Sequence, residues 1–459
     1  MFIDPDLIPF EPPPQPLGLR GLPLIWRNYI ETIPRLAYEK QGVICIKRRW
    51  SEVILLCEPQ LIGELLVDKA EDFERDIATR RSFAPVIGDS SLFLAEGADW
   101  RWQRRAVAPV FRHDTLLSFV PVFAAMAERQ IERWRSLRAD EPTDVAAAMT
   151  RTTFDIIVET VLGGSATLDA DRYGRALTVS FETLPWHLIY AMFSLPAWLP
   201  FPHRRRAMQA RDFLHADIGR IVAARRAQVC GNGASPRADL LDLLLAARDP
   251  DSGRIMSDAE VTMNLLTFII AGHETTAVAL TWMLWLLAKD QATQQRVADE
   301  VAAVAGGKAI GPDDVERLNF TRQAIQEAMR LYPPAAALSR HPKTELAFAG
   351  MTLNRRTRVH VPIYALHRNA QIWDAPNAFD PDRFAPDKVK ARPRYAYLPF
   401  GGGPRICIGA GFAMTEAAAV LGTLVRAFRF RPVSGHKPKP LARVTLRPDG
   451  GMPLHIAPR

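Results

Sequence analysis

Cysteine is scarce: there are four in 459 residues, Cys45, Cys57, Cys230 and Cys407, with no metal-finger spacing among them. That excludes a disulfide-stapled secreted scaffold and fits a reducing compartment. The stretch Met1 to Pro23 lacks a basic run followed by an apolar core, so no export signal is legible. It also lacks the ~20 apolar residues of a membrane span. A cytoplasmic protein is expected. Two cofactor motifs fail by a single residue. Gly307-Lys308 is followed by Ala309, which excludes a phosphate-binding loop. His273-Glu274 opens a zinc-binding His-Glu-x-x-His pattern, but Ala277 stands where the second histidine belongs. Basic tails and nucleic-acid motifs are missing too, so the net charge of +8 points towards an acidic protein partner. With 48% hydrophobic and 24% charged residues, the chain is neither disordered nor fibrous.

What is present concentrates in Phe400 to Gly409, which reads Phe-Gly-Gly-Gly-Pro-Arg-Ile-Cys-Ile-Gly. An apolar run of helical composition, Ala410 to Phe428, follows at once. Cys407 therefore sits near a helix N-terminus, where unpaired N–H groups and the helix dipole favour a thiolate, the form that binds metals. The three glycines let the backbone turn sharply and approach a bulky flat partner, and Arg405 adds a positive charge two residues from the sulfur.

A second stretch runs from Ser257 to about Lys289. Ser257 and Glu260 form a capping box, and an apolar helix of that length would run roughly 50 Å through the core. Its centre reads Ala271-Gly272-His273-Glu274-Thr275-Thr276. A glycine and a carboxylate inside a buried helix are costly and need a reason. Elsewhere, Trp100 and Arg104 share one face of a helix over Asp99 to Val107, and Arg101 and Arg105 share another. Glu327 and Arg330 stand three apart on a helix over Thr321 to Leu331, with Arg383 following in Phe379-Asp-Pro-Asp-Arg-Phe384.

Taken together and in this order, these motifs resemble the cytochrome P-450 haem-thiolate monooxygenases from Trp100 through Gly409. The resemblance implies haem b with Cys407 as axial thiolate. Arg405, Trp100, Arg104 and Arg340 would bind the propionates, with Phe400 and Gly401 in the haem loop. On the oxygen side, Ala271 and Gly272 would leave room above the iron. Thr275 would bond back to the Ala271 carbonyl, loosening the helix at Gly272, and with Glu274 would manage protons. Glu327, Arg330 and Arg383 would form a buried triad that holds the thiolate loop.

The fold so implied is a single haem domain over 1–459, mainly helical, with small sheets from Val43–Cys57, Glu345–Ile363 and Leu446–Ile456, behind an irregular lead-in over 1–23. Helices are expected at Leu61–Val67, Leu116–Ala139, Val145–Leu162, Asp171–Leu184 and Arg204–Val229. Phe73 to Ala98 is expected to be irregular, Pro185 to His203 an aromatic lid, and Gly231 to Arg237 a polar linker. Only 52 residues follow Cys407, too few for a fused reductase. Electrons are expected from a separate ferredoxin-type donor docking where Arg101 and Arg105 face outward. The small-sided Ala335-Ala336-Ala337-Leu338 and the aromatic lid suggest a bulky apolar substrate, terpenoid, fatty or aromatic. The alternatives are a haem-thiolate peroxygenase or isomerase, which would not need the Glu274–Thr275 pair, and a non-enzymatic haem sensor, which would need an output domain.

Overall fold

The structure is a computed structural model that describes residues 2–3, 28–48, 51–136, 141–163, 170–183, 186–187, 190, 195–196, 198–232 and 239–459. The expected lead-in, apart from Phe2 and Ile3, lies outside the described residues. So do the linker from 233 onward and much of the expected lid between 184 and 197.

The chain divides into two compact units. One comprises Met1–Phe73, Leu116–Thr153 and Glu274–Arg459, the other Glu74–Thr115 and Phe154–His273. In the first, Val43–Arg48 and Ser51–Leu56 form the expected hairpin. Ser51–Leu56 then runs parallel to Arg358–Val361, which pairs antiparallel with Leu338–Pro342. The alternating apolar residues of this sheet, Ile54, Leu56, Val359 and Val361, are buried with Leu65, Leu66, Phe348 and Leu398. This core lies under the glycine-rich loop, since Leu66 and Leu398 both abut Gly402. The expected sheet over Glu345–Ile363 is thereby divided. Leu346–Phe348 pairs with Met351–Leu353 as a small hairpin, and Arg358–Val361 belongs to the larger sheet. The C-terminal strands pair as Lys439–Ala442 with Leu446–Asp449 and Phe428–Pro432 with Pro453–Pro458.

Helices dominate both units. Val120–Arg135, with the preceding Phe119, packs on Ala410–Ala427 through Phe119 and Phe123 against Phe412. Asn319–Leu331 carries a strongly one-sided apolar face, which buries Ala324, Ile325 and Ala328. In the second unit, Ala170–Glu182 and Arg204–Asn232 meet through the edge-to-face rings of Tyr173 and Phe213. The expected Leu61–Val67 helix spans a short α-turn, Pro59–Gly63, and a wider π-turn, Glu64–Asp68. The stretch expected to be irregular, Phe73 to Ala98, instead contains a helix, Ile77–Ile87. Asp76 caps it by accepting from the Thr79 N–H at 3.0 Å. Pro85 enters only in the last turn, and Gly88 at φ +79° ends the helix. A proline so late removes little of the hydrogen-bond ladder.

The long helix is observed at Asp258–Lys289. Its capping box forms as expected: Ser257 N–H donates to Glu260 Oε2 at 2.9 Å, and Glu260 N–H to Ser257 Oγ at 3.3 Å. It is long and apolar enough to cross a membrane by composition, but 67% of that apolar window is buried inside the protein. It is a core helix.

Candidate haem-thiolate site

The glycine-rich loop folds back on itself before the helix begins. Gly403–Arg405 makes a single 3-10 turn, the Cys407 N–H donates to the Phe400 carbonyl at 3.0 Å, and Ala410–Ala427 starts three residues later. Cys407 is exposed at the head of that helix and is not in a disulfide. Phe400, Gly401 and Arg405 are half-buried around it in the chain. Gly403, at φ +67°, tolerates no side chain: a Cβ would lie 1.9 Å from the Leu66 carbonyl oxygen. The π-turn at Glu64–Asp68 thus sets the height of the loop.

Beneath the loop sits the acid–arginine cluster. Arg330 donates to both carboxylate oxygens of Glu327 at 2.7 and 2.8 Å, and both residues are fully buried. Arg330 also donates to the carbonyls of His367, Pro376 and Ala378 at 2.7, 2.7 and 2.9 Å. The Asp380 N–H donates to Glu327 Oε1 at 3.0 Å, and Arg383 approaches that oxygen at 3.4 Å. The expected triad is therefore assembled, with every Arg330 nitrogen engaged. His367, which the sequence reading passed over, completes the support. Its Nε2 accepts the Leu398 N–H at 2.8 Å, two residues before Phe400, and its ring stacks on Tyr397. Burial, reinforced by Arg330 and Arg368, holds its pKa well below the usual histidine range, so it serves as a neutral acceptor.

At the centre of the long helix the burial pattern breaks. Ala271 is exposed, and Gly272, Glu274 and Thr275 are half-buried, between the buried runs Asn264–Ile270 and Thr276–Ala288. The helix runs through Gly272 without interruption. A Cβ at Gly272 would press on Ile157 Cδ1 at 2.7 Å, so this glycine also serves close helix packing. His273 is a core residue: its Nδ1 bonds the Ile269 carbonyl at 2.7 Å, and Phe154 meets its ring edge-on. Glu274 Oε1 accepts the hydroxyl of Thr445 at 2.7 Å. Neither Thr445 nor Glu416, a buried acid on the cysteine helix, stood out in the sequence. Both oxygens of Glu416 lack a hydrogen-bond partner, and burial pushes its pKa well above the carboxylate range. The Thr276 hydroxyl, the one polar group acting against that shift, stays outside hydrogen-bond geometry.

In the second unit, Trp100 and Arg104 lie half-buried on the helix Gly97–Val107. Gln103 fixes that helix by accepting from Asn264 at 3.0 Å and donating to the Ser90 carbonyl at 2.9 Å. Arg101 is exposed as expected. Arg105 differs from expectation. It forms a two-pronged pair with the buried Asp249, at 2.8 and 3.0 Å, and a further contact with Asp251. The guanidinium and Ser252 hold the Asp249 carboxyl well below its usual range. A guanidinium so committed is an internal strut, and its partner, 144 residues away, gives no local signal. Arg340 lies half-buried on Leu338–Pro342 and donates to the Ser339 carbonyl at 2.9 Å. Among the described residues, no cluster of three or more His, Cys, Asp or Glu could hold a bare metal ion.

An exposed cysteine at a helix N-terminus, a loop locked from below and an opened core helix make a donor set suited to a haem with one protein thiolate. Comparison with known proteins agrees. The Cytochrome P450 family profile matches residues 11–453. The chain belongs to the cytochrome P450 family: it is a haem b monooxygenase with the mainly helical P450 fold. It is 32% identical to cyclooctatin synthase of Streptomyces melanosporofaciens over 88% of this chain and 86% of that protein. It is 31% identical to taurochenodeoxycholic 6 alpha-hydroxylase of Sus scrofa over 82% of this chain and 76% of that protein. Among solved structures, the crystal structure of the cytochrome P450DA heme domain superposes with a TM-score of 0.80. That match has 25% identity and covers 91% and 90% of the two chains.

Proposed function

We propose that this enzyme hydroxylates a bulky apolar small molecule, with Cys407 as the axial ligand and a ferredoxin-type protein as electron donor. The observation that carries the reading is the exposed Cys407 at the head of Ala410–Ala427, with the loop behind it locked by Gly403 and the Glu327–Arg330 cluster. When bound, haem supplies the activation of dioxygen, and a thiolate ligand favours O–O cleavage. The protein's own residues do the rest. Arg405 and Arg340, and by the family resemblance Arg104 and Trp100, would donate to the haem propionates. The loop from Phe400 holds the sulfur at fixed height. Thr275, one turn beyond the small Ala271, presents a hydroxyl that holds a proton, and Glu274 replenishes it.

For the substrate, support comes from the small-sided stretch Ala335 to Leu338 and from the relatives' names, a cyclooctatin synthase and a taurochenodeoxycholic 6 alpha-hydroxylase. For the donor, support comes from the net charge of +8 and the exposed Arg101. The test is spectral. The reduced carbonyl complex should show the strongly red-shifted Soret band of a thiolate ligand, and Cys407→Ser should abolish it. A histidine-type band in the parent protein would overturn the assignment. Candidate apolar ligands scored by the low-to-high-spin shift then sort the substrate class, and reduction rates with ferredoxin against a flavodoxin-type donor sort the partner.

A further inference from the structure

The long helix grips the turn between Lys439–Ala442 and Leu446–Asp449 at two neighbouring residues. The Thr445 hydroxyl donates to Glu274 Oε1 at 2.7 Å, and Trp282 Nε1 donates to the Leu446 carbonyl at 2.7 Å. The turn is also held from elsewhere. The Leu446 N–H donates to the Pro334 carbonyl at 3.0 Å, and the Ala442 N–H donates to Asn28 Oδ1 at 2.9 Å. Strand pairing sets Ala442 opposite Leu446, which confines the turn to three residues. Thr445 itself is only 6% exposed. Its hydroxyl is therefore a fixed donor placed by the fold and not a loop side chain that happens to lie near.

Glu274 needs such a partner. Its backbone belongs to the opened centre of the helix, and among the described residues Thr445 makes the one hydrogen bond its side chain receives. A glutamate has many rotamers, and ordering it costs entropy that a preplaced donor meets before the reaction begins. Leu446, held by Trp282 and Pro334, transmits that order to Thr445 from the next position.

We propose that Thr445 is a positioning residue for Glu274. It fixes the carboxylate that replenishes the proton on Thr275, a role that rests on the proton-delivery reading above. Thr445→Val keeps the shape and removes the donor, and Thr445→Ser restores it. In the holoenzyme, valine should lower product formed per reducing equivalent several-fold and raise the solvent deuterium isotope effect on turnover. Substrate KM and the spin-state shift should stay as in the parent. The infrared carboxylate band that disappears in Glu274→Gln should shift in the valine variant and return with serine. Thr445→Ala reads the same quantities should valine strain the turn.

Parent-like coupling and an unmoved band in both Thr445→Val and Thr445→Ala overturn the proposal. If Glu274→Gln uncouples while those variants do not, Thr445 alone loses its role. If Glu274→Gln is itself fully coupled, the delivery reading fails and the proposal falls with it.

Discussion

Glu327 and Glu416 are equally buried, at 0% and 1% exposure, yet their surroundings have nothing in common. Around Glu327 stand two guanidinium groups and a backbone N–H, and its charge is compensated from three directions. Around Glu416, on the cysteine helix, no hydrogen bond reaches either oxygen. The first environment stabilises a carboxylate and makes it part of a permanent clamp. The second tolerates only the neutral acid. The region under the thiolate loop is thus built from full charges locked together. The middle of the long helix instead holds its own acid, Glu274, by a single hydroxyl, that of Thr445. Fixed charge suits a scaffold, whereas hydroxyl-supported acids suit a place where protons come and go.

The contrast breaks most sharply at Arg330. Arg330→Ala leaves Glu327 charged, buried and short of its main partner, a loss of about 3–5 kcal/mol. Expression should yield little holoprotein, and what forms should show a weakened thiolate-type carbonyl band. A normal yield and spectrum would mean the clamp is dispensable.

Glu416→Gln should move stability the other way. The folded pKa of Glu416 is raised, so the native state retains a proton that the unfolded chain releases above the ordinary carboxylate range. Native stability therefore falls as pH rises through that window, by about 1.4 kcal/mol per pH unit. Glutamine carries no such linkage. The variant should match the parent near pH 4 and gain steadily above it, read as urea midpoints of the holoenzyme from pH 5 to 8. Parallel curves would show that Glu416 is ionised and has a partner.

Thr275→Ala sharpens the hydroxyl side of the comparison. Haem and substrate binding should persist, while product per reducing equivalent drops several-fold and peroxide accumulates. Unchanged coupling would remove Thr275 from proton delivery.

The smallest effect belongs to the surface. Arg101→Glu should slow reduction by a ferredoxin a few-fold at low salt and hardly at all once the Debye length shrinks below about 8 Å. Arg105→Glu should instead lower thermal stability, because it sets a carboxylate against the buried Asp249. Equal effects on reduction from both variants would contradict the strut described for Arg105.

These residues also mark what a sequence can reveal. Cys407 at a helix head, the tight turn at Gly403, the Glu327–Arg330 pair and the Ser257–Glu260 cap were legible because each arrangement is written in spacing along a few residues. Helices with uniform composition, such as Val145–Leu162, were equally plain. Thr445 and Asp249 were not, since the contacts that define them join positions 171 and 144 residues apart. Glu416 looked like any helix-surface acid, because burial on a neighbouring element leaves no periodic trace. The helix Ile77–Ile87 was hidden by Pro85, a breaker read without knowing it falls in the last turn.

Gly401 and Gly403 share a left-handed backbone, with φ of +72° and +67°, but not a future. At Gly401 no protein atom lies within 4 Å of where a side chain would project, so the backbone alone sets a cost of roughly 1–2 kcal/mol for asparagine, the residue next best suited to it, and bound haem adds its own limit. At Gly403 the Leu66 carbonyl already occupies the place of a first carbon. Any residue other than glycine there breaks the loop. A saturation library spanning both positions should return variety at one and only the parental glycine at the other.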